Sequence, residues 1–239
     1  MSSSHDFVNR GFDTIQSFLK VVSGIHEEKS IYRGHANLGW EVKPVVYRQN
    51  GFGISDRDKL GRWKLEASRF GERGYSDLEW LVLAQHYGVG TPLLDWTTNP
   101  LVALYFGCQS AMNDQGPTDG NVLMVPCGHL PTQSVLEEVD IFTGVVSSHP
   151  ILVHSTPMNR RTLAQDSIMT LHNANHLDIN YDGNIYTIPS QIKPYVLSAL
   201  KVVGVSSDRI FADINSVARD FSEMMEVESS LNRVLEGLE

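Results

Sequence analysis

Apolar positions along the chain first fall at helical spacing. Ile15, Phe18, Leu19 and Val22 share one face of a short opening helix, with Asp13 and Gln16 placed as a capping box. Ser30 to Arg33 reads as a short strand leading into Gly34. Trp40, Val42 and Val45 or Val46 suggest another extended stretch, interrupted by Pro44. Ser55 to Phe70 is helical, with Leu60, Trp63 and Leu65 available for packing. From Trp80 to Phe106 the clean alternation disappears. The first half of that run reads as a buried helix stopped at Gly88 and closed by the turn Gly88-Val89-Gly90-Thr91-Pro92. The second half restarts a helix, with Thr98 or Asn99 as N-cap and Pro100 at the first helical position. After the turn from Asn113 to Gly120, short strands are expected at Asn121 to Val125, Glu138 to Phe142, Ser167 to His172 and Asn184 to Ile188. A helix from Pro194 to Val203 stops at Gly204, which suits a left-handed cap.

Helices concentrated in the first half, with short strands scattered among and after them, predict an α+β fold: one compact domain around a sheet, not the strand-helix alternation of a doubly wound one. Met224, Val227, Leu231, Val234 and Leu238 recur at spacings of three and four, so the C-terminal stretch is expected to form an amphipathic helix. It either docks on its own domain or binds a second copy or another protein. A chain of 239 residues can bury a sizeable core. Its formal net charge of −9 argues against coating nucleic acid through bulk electrostatics. Two cysteines, Cys108 and Cys127, are too few for a disulfide framework and read as buried thiols. No apolar run is long enough for a membrane span and no leader pattern opens the chain, so a cytoplasmic protein is expected.

Candidate chemistry clusters between the two central helices. Gln85, His86, Asp95 and Thr97 flank one helix end and the next helix start, where unpaired N–H groups can hold a phosphate or orient a carboxylate. Arg33 ends an early strand beside a glycine, so its guanidinium sits where a ligand can approach the backbone closely; the alternative is an ion pair with Glu66 or Asp95. His86 is a candidate general acid or base, against a core histidine bonded to a backbone carbonyl. Asp95 either accepts a ribose hydroxyl or caps the helix near Pro100, and Trp96 either stacks on a ring or belongs to the core. His172 and His176 have a zinc-like spacing, but the asparagine-rich context points to a polar loop and no metal site is expected.

The motifs Tyr32-Arg33-Gly34, Pro44 through Arg48, Glu66 with Phe70, Ala84-Gln85-His86-Tyr87-Gly88, and Leu93-Leu94-Asp95-Trp96-Thr97-Thr98-Asn99-Pro100 through Phe106 resemble the FRG domain of bacteria and their phages. Arg160-Arg161-Thr162-Leu163-Ala164-Gln165 is similar to that family's later Arg-Ile-x-x-Gln element. Ile188-Pro189, Val203-Gly204-Val205 and Ile210-Phe211-Ala212-Asp213-Ile214 look like its closing helix and tail, with Ala212 where the family usually has proline. The resemblance implies an FRG-like domain over residues 14 to 220, with 221 to 239 as the helical extension. A remoter likeness links Arg33 in its Tyr-Arg-Gly context to the first motif of the ADP-ribosyltransferases, and Thr97 to Phe106 to their second. Gln165 then stands where they carry a catalytic glutamate. The residues implied are Arg33, Gly34, Arg48, Gln85, Trp96, Thr97 and Arg161 for nucleotide binding, and His86, Asp95, Gln165 and Glu66 for catalysis, with Glu66 or Asp95 supplying the charge that Gln165 lacks. NAD is the candidate substrate and no cofactor is assigned. The alternatives are a module that senses a nucleotide or nucleic-acid end without turnover in bacterial or phage conflict, the setting also expected for the enzyme, with Arg33, Arg48 and Arg161 as a phosphate clamp, and a scaffold or antagonist whose C-terminal helix binds a partner. If the transferase likeness holds, Arg33, Gln85 or His86, Asp95 or Thr97, and Gln165 should converge on one concave pocket.

Overall fold

The computed structural model describes residues 2–25, 29–113, 116–134, 141–142, 150–154, 164–174, 184–211, 222 and 225, and the chain is α+β. Helix α1 (Ser2–Ile25) leads into β1 (Ser30–His35), a 3-10 turn at Val45–Tyr47, α2 (Arg57–Ser68) and α3 (Asp77–His86). Then come β2 (Leu93–Thr97), α4 (Pro100–Gly107), the small hairpin β3 (Met112–Asn113) and β4 (Gly116–Pro117), and β5 (Gly120–Pro126). Strands β6 (Thr132–Ser134), β7 (Ile151–His154), β8 (Ser167–Leu171) and β9 (Ile185–Ile188) are followed by α5 (Lys193–Val202) and α6 (Ser207–Phe211). Seven strands form one sheet in the order β6-β7-β8-β2-β1-β5-β9, antiparallel except for the β6–β7 edge.

Alternation along β5 shows that both faces of the sheet are buried. Val122 and Met124 join the core beneath α1, α4 and α5, whereas Leu123 and Val125 pack on the other face with Ile31, Trp96, Cys127 and Leu130. A separate cluster holds α2 and α3 against Leu93, Met169 and Leu171. Strands buried on both faces read as continuous apolar runs, which is why Leu93–Thr97 passes for the approach to a helix in the sequence when it is a central strand. Both cysteines are buried and free, and burial pushes the Cys108 thiol up to about 12.

Several local expectations are met in the structure. Asn99 is the N-cap of α4, its Oδ1 accepting from Leu101 N at 3.0 Å, with Pro100 in the first turn. Gly204 closes α5 at φ +85°. Others are corrected. The opening helix starts at Ser2, not at Asp13, because Val8 and Phe12 continue the apolar stripe of Ile15, Phe18 and Val22 toward the N-terminus. Gly11 does not interrupt it; a Cβ there would lie 2.7 Å from Ala199 Cβ, so the glycine lets α1 and α5 cross closely. The stretch from Trp40 to Val46 is not a strand: Trp40 is exposed and Val45–Tyr47 is a 3-10 turn after Pro44. Ile141 and Phe142 form a turn, and the rest of the expected strand at 138–142 lies outside the described residues, as does all of the expected C-terminal helix except Ser222 and Met225.

Helix α4 is apolar on every side and lies directly on the sheet. Its approach depends on Gly34, where a Cβ would run into the Ala103 carbonyl and sit 2.5 Å from Gly107 N. Gly34→Ala should therefore cost about 3 kcal/mol or more through overpacking against backbone that cannot yield. Gly61, in α2 with nothing within 4 Å of an added Cβ, is the control: Gly61→Ala should stabilise the protein by about 0.4–1 kcal/mol. Urea unfolding midpoints of the two variants should move in opposite directions.

Candidate functional site

Strands β1 and β2 are neighbours in the sheet, yet they pair at one register position, Tyr32↔Thr97. Beyond it β1 continues through Arg33, Gly34 and His35 on its pairing with β5, and β2 continues back through Asp95 on its pairing with β8. The two strands fork. At the mouth of the fork is a cleft of about 370 Å³ lined by residues of β1, β2, the start and end of α4, and the turn before β8.

A fork leaves backbone groups without ladder partners, and Arg33 takes up one of them. Its Nη1 donates to the Asp95 carbonyl across the gap, and its Nε donates to His35 Nε2 at 2.9 Å. Arg33 and His35 can meet because residues two apart on a strand share a face. Burial pushes the guanidinium down to about 10, opposed by the nearby Asp95 carboxylate and reinforced by Arg48; it remains a cation at neutral pH. Burial, then the positive charges of Arg33 and Arg48, push His35 down to about 3, so the imidazole is neutral. An arginine N–H can only donate, so His35 Nε2 accepts and the ring proton sits on Nδ1.

The far wall is built by Thr97. Its hydroxyl donates to the Gln165 carbonyl at 2.6 Å and accepts from Asn99 N at 3.0 Å. Thr98 N donates to the Asp166 carbonyl at 3.0 Å, and Asp166 has φ +45°, a left-handed conformation that aspartate tolerates. This tight turn brings Gln165 into the cleft lining. Trp96 is buried, its Nε1 donating to Thr170 Oγ1 at 2.9 Å, and Thr170 Oγ1 lies 2.8 Å from His172 Nε2. Below the cleft, Lys193 Nζ donates to the Ala36 carbonyl at 2.6 Å and the Gln109 carbonyl at 3.2 Å, tying the loops after β1 and α4 together.

Arg33, Gly34, Asp95, Trp96, Thr97 and Gln165 thus line one cleft. The other candidate residues are elsewhere. Glu66 is exposed on α2 and pairs with Arg69 at 2.7 Å, not with Arg33. Gln85 accepts from the Thr91 hydroxyl and braces the turn after α3, while His86 is exposed at the end of that helix with its ring against Tyr87. Arg48 donates from Nε to the Lys43 carbonyl at 2.9 Å and does not line the cleft. Arg161 and His176 lie outside the described residues, and His172 is fully buried. Asp95 does not cap α4, since Asn99 does.

Sequence reasoning missed His35 and Trp40. Trp40 is 53% exposed and meets the His35 ring edge-on with centroids 6.1 Å apart, so it offers a free aromatic face where Trp96 does not. Strand periodicity counted two residues on from Arg33 would have found His35.

Residues 28–116 match the FRG domain family model. The FRG domain match covers a little over a third of the chain. The match takes in Arg33, Asp95, Trp96 and Thr97, and Gln165 lies beyond it. No curated protein and no solved structure matches the chain. Among the described residues, the cleft has Arg33 as its one lining cation and Asp95 as its one lining carboxylate, and no helix is long and apolar enough to cross a membrane.

Two outcomes follow for stability. His35 is neutral when folded and protonates near pH 6.5 when unfolded, so between about pH 6.5 and pH 3 the unfolded chain binds the extra proton. Stability should fall by up to about 1.4 kcal/mol for each unit of acidification in that window from this residue, and His35→Gln should flatten that part of the pH profile. Arg33→Ala breaks no carboxylate pair. It should cost about 1–3 kcal/mol from the acceptors left unpaired, below the roughly 3–5 kcal/mol expected for half of a broken buried ion pair, as read by denaturant unfolding.

Proposed function

We propose that the FRG cleft binds a nucleotide, that NAD is its substrate, and that the domain processes NAD in the manner of an ADP-ribosyltransferase. The observation that carries this reading is the convergence of Arg33, Thr97 and Gln165, far apart in sequence and each at the position that resembles a transferase motif, on one cleft. A volume of about 370 Å³ is at the lower end for small-molecule sites, which suits one half of a dinucleotide with the remainder outside. Arg33 supplies positive charge for a phosphate or an electron-rich ring, and Trp40 a face for stacking.

In such a reaction the bond between nicotinamide and ribose breaks, nicotinamide leaves with the bonding pair, and positive charge develops on the ribose until a nucleophile attacks. A carboxylate stabilises that charge better than an amide does. Glu66 is too far out on the surface to serve, so the role falls to Asp95 at the cleft rim, with Gln165 binding ribose. The neutral Gln165 favours a second reading, a sensor that binds the nucleotide and does not turn it over.

A ligand present at about a hundred times its dissociation constant adds roughly 2.7 kcal/mol and should raise the melting point by about 5–10 °C for a chain of this size. The test is a melting screen with NAD, ADP-ribose, ATP, cyclic nucleotides and short oligonucleotides, followed by assay of nicotinamide release. A shift with NAD and release of nicotinamide, lost in Asp95→Asn with the shift retained, is expected for the enzyme. A shift without release is the sensor, and a flat response in folded protein overturns both.

A further inference from the structure

The Arg33 contact fixes the orientation of His35 and its tautomer together. With Nε2 engaged, the ring carries its hydrogen on Nδ1, and that Nδ1 is buried without a partner although the residue is only 2% exposed. Buried N–H groups are nearly always satisfied. The nearest apparent remedy in the ladder, Asn121 opposite His35, has its own unpaired Oδ1, and the two groups do not bond to each other. Gln165 Nε2 is a second buried donor with no partner. Both residues belong to the wall of the same cleft, and Asn121 does not. The cleft wall therefore holds a cation and two neutral donors that are buried and have no acceptor among the described residues. Trp40 covers His35 edge-on with much of its own ring exposed, a contact it can exchange for stacking on a ligand ring.

We propose that His35 is a ligand-binding residue of this cleft, its Nδ1–H donating to an acceptor oxygen of the bound nucleotide while Arg33 holds the ring through Nε2. The proposal rests on the nucleotide reading for the identity of the ligand. Its chemistry is that of a fixed neutral donor, distinct from a general acid or base: the ring has no free lone pair to take a proton.

The two amide replacements separate the two ring nitrogens. Asparagine places an amide donor near the Nδ1 position, and glutamine places an acceptor for Arg33 near Nε2 without the donor. For NAD or ADP-ribose, His35→Gln should weaken binding about tenfold or more, and His35→Asn should stay within about threefold of wild type. In wild-type protein carrying ¹⁵N-labelled histidine, the His35 imidazole signals should report the Nδ1–H tautomer and move on addition of the same ligand, a readout that does not depend on how either variant folds. Nicotinamide and inorganic phosphate serve as fragment probes. If NAD or ADP-ribose binds while the His35 signal stays still, or His35→Gln binds as well as wild type, the His35 proposal is overturned and the nucleotide reading stands. If phosphate or nicotinamide moves the His35 signal while no nucleotide binds, His35 keeps its role and the nucleotide reading falls. No response to any probe overturns both.

Discussion

The guanidinium of Arg33 spans a gap that the backbone leaves open. Two antiparallel strands that pair once and then diverge expose carbonyl and amide groups inside the sheet, where each unpaired one costs free energy on the order of 1–3 kcal/mol. Arg33 donates to the Asp95 carbonyl across the fork and to His35 on its own strand, so one planar, multi-donor side chain supports both walls. Lysine would bring a point charge in place of a planar array of donors and could not reproduce the arrangement. The neighbours complete the device. Tyr32 makes the last pairing with Thr97 before the strands part, and Gly34 admits α4 so closely that Val102 and Phe106 reach the cleft. Three consecutive residues therefore set the pairing, the bridge and the depth of the fork.

Thr97 stands at the same junction from the other strand, and its hydroxyl is fully used. It accepts from Asn99, which caps α4, and donates to the carbonyl of Gln165. The helix start and the turn before β8 are thus registered to the one position where β1 and β2 pair. Both hydrogen bonds of the Thr97 hydroxyl are thus made within the protein, and the residue they position is Gln165. Buried polar groups tied together in this way specify a geometry when all are satisfied. Among the described residues, the buried side-chain atoms left without a partner are His35 Nδ1, Gln165 Nε2 and, opposite His35 in the sheet, Asn121 Oδ1.

Much of this was legible because local rules and tertiary structure agree. The Asn99–Pro100 start of α4, the helix from Pro194, and the strands at Asn121 and Ser167 follow from capping, breakers and apolar runs. The failures share a physical origin. Leu93–Thr97 is buried on both sides except at Asp95, so it has neither strand alternation nor helical length, and only pairing with β8 defines it. Trp40 looks like a core residue and lies exposed at the cleft wall, with its ring edge-on to His35. Gln85 and His86 sit beside Asp95 in sequence but at the far end of α3, where the turn to β2 carries them away from the fork. Proximity along the chain misled there, while Arg33 and Gln165, remote from each other, were brought together.

The electrostatics of the cleft run against those of the whole chain. A protein with net charge −9 has buried a guanidinium deeply enough that its pKa falls, and has placed a neutral histidine, not a second carboxylate, beside it. Full neutralisation by an adjacent acid would have been the simpler way to bury the cation. Asp95 instead offers Arg33 its carbonyl and keeps its carboxylate exposed. The guanidinium thereby meets a carbonyl and an imidazole as direct acceptors, and the Asp95 carboxylate acts on it without a direct contact.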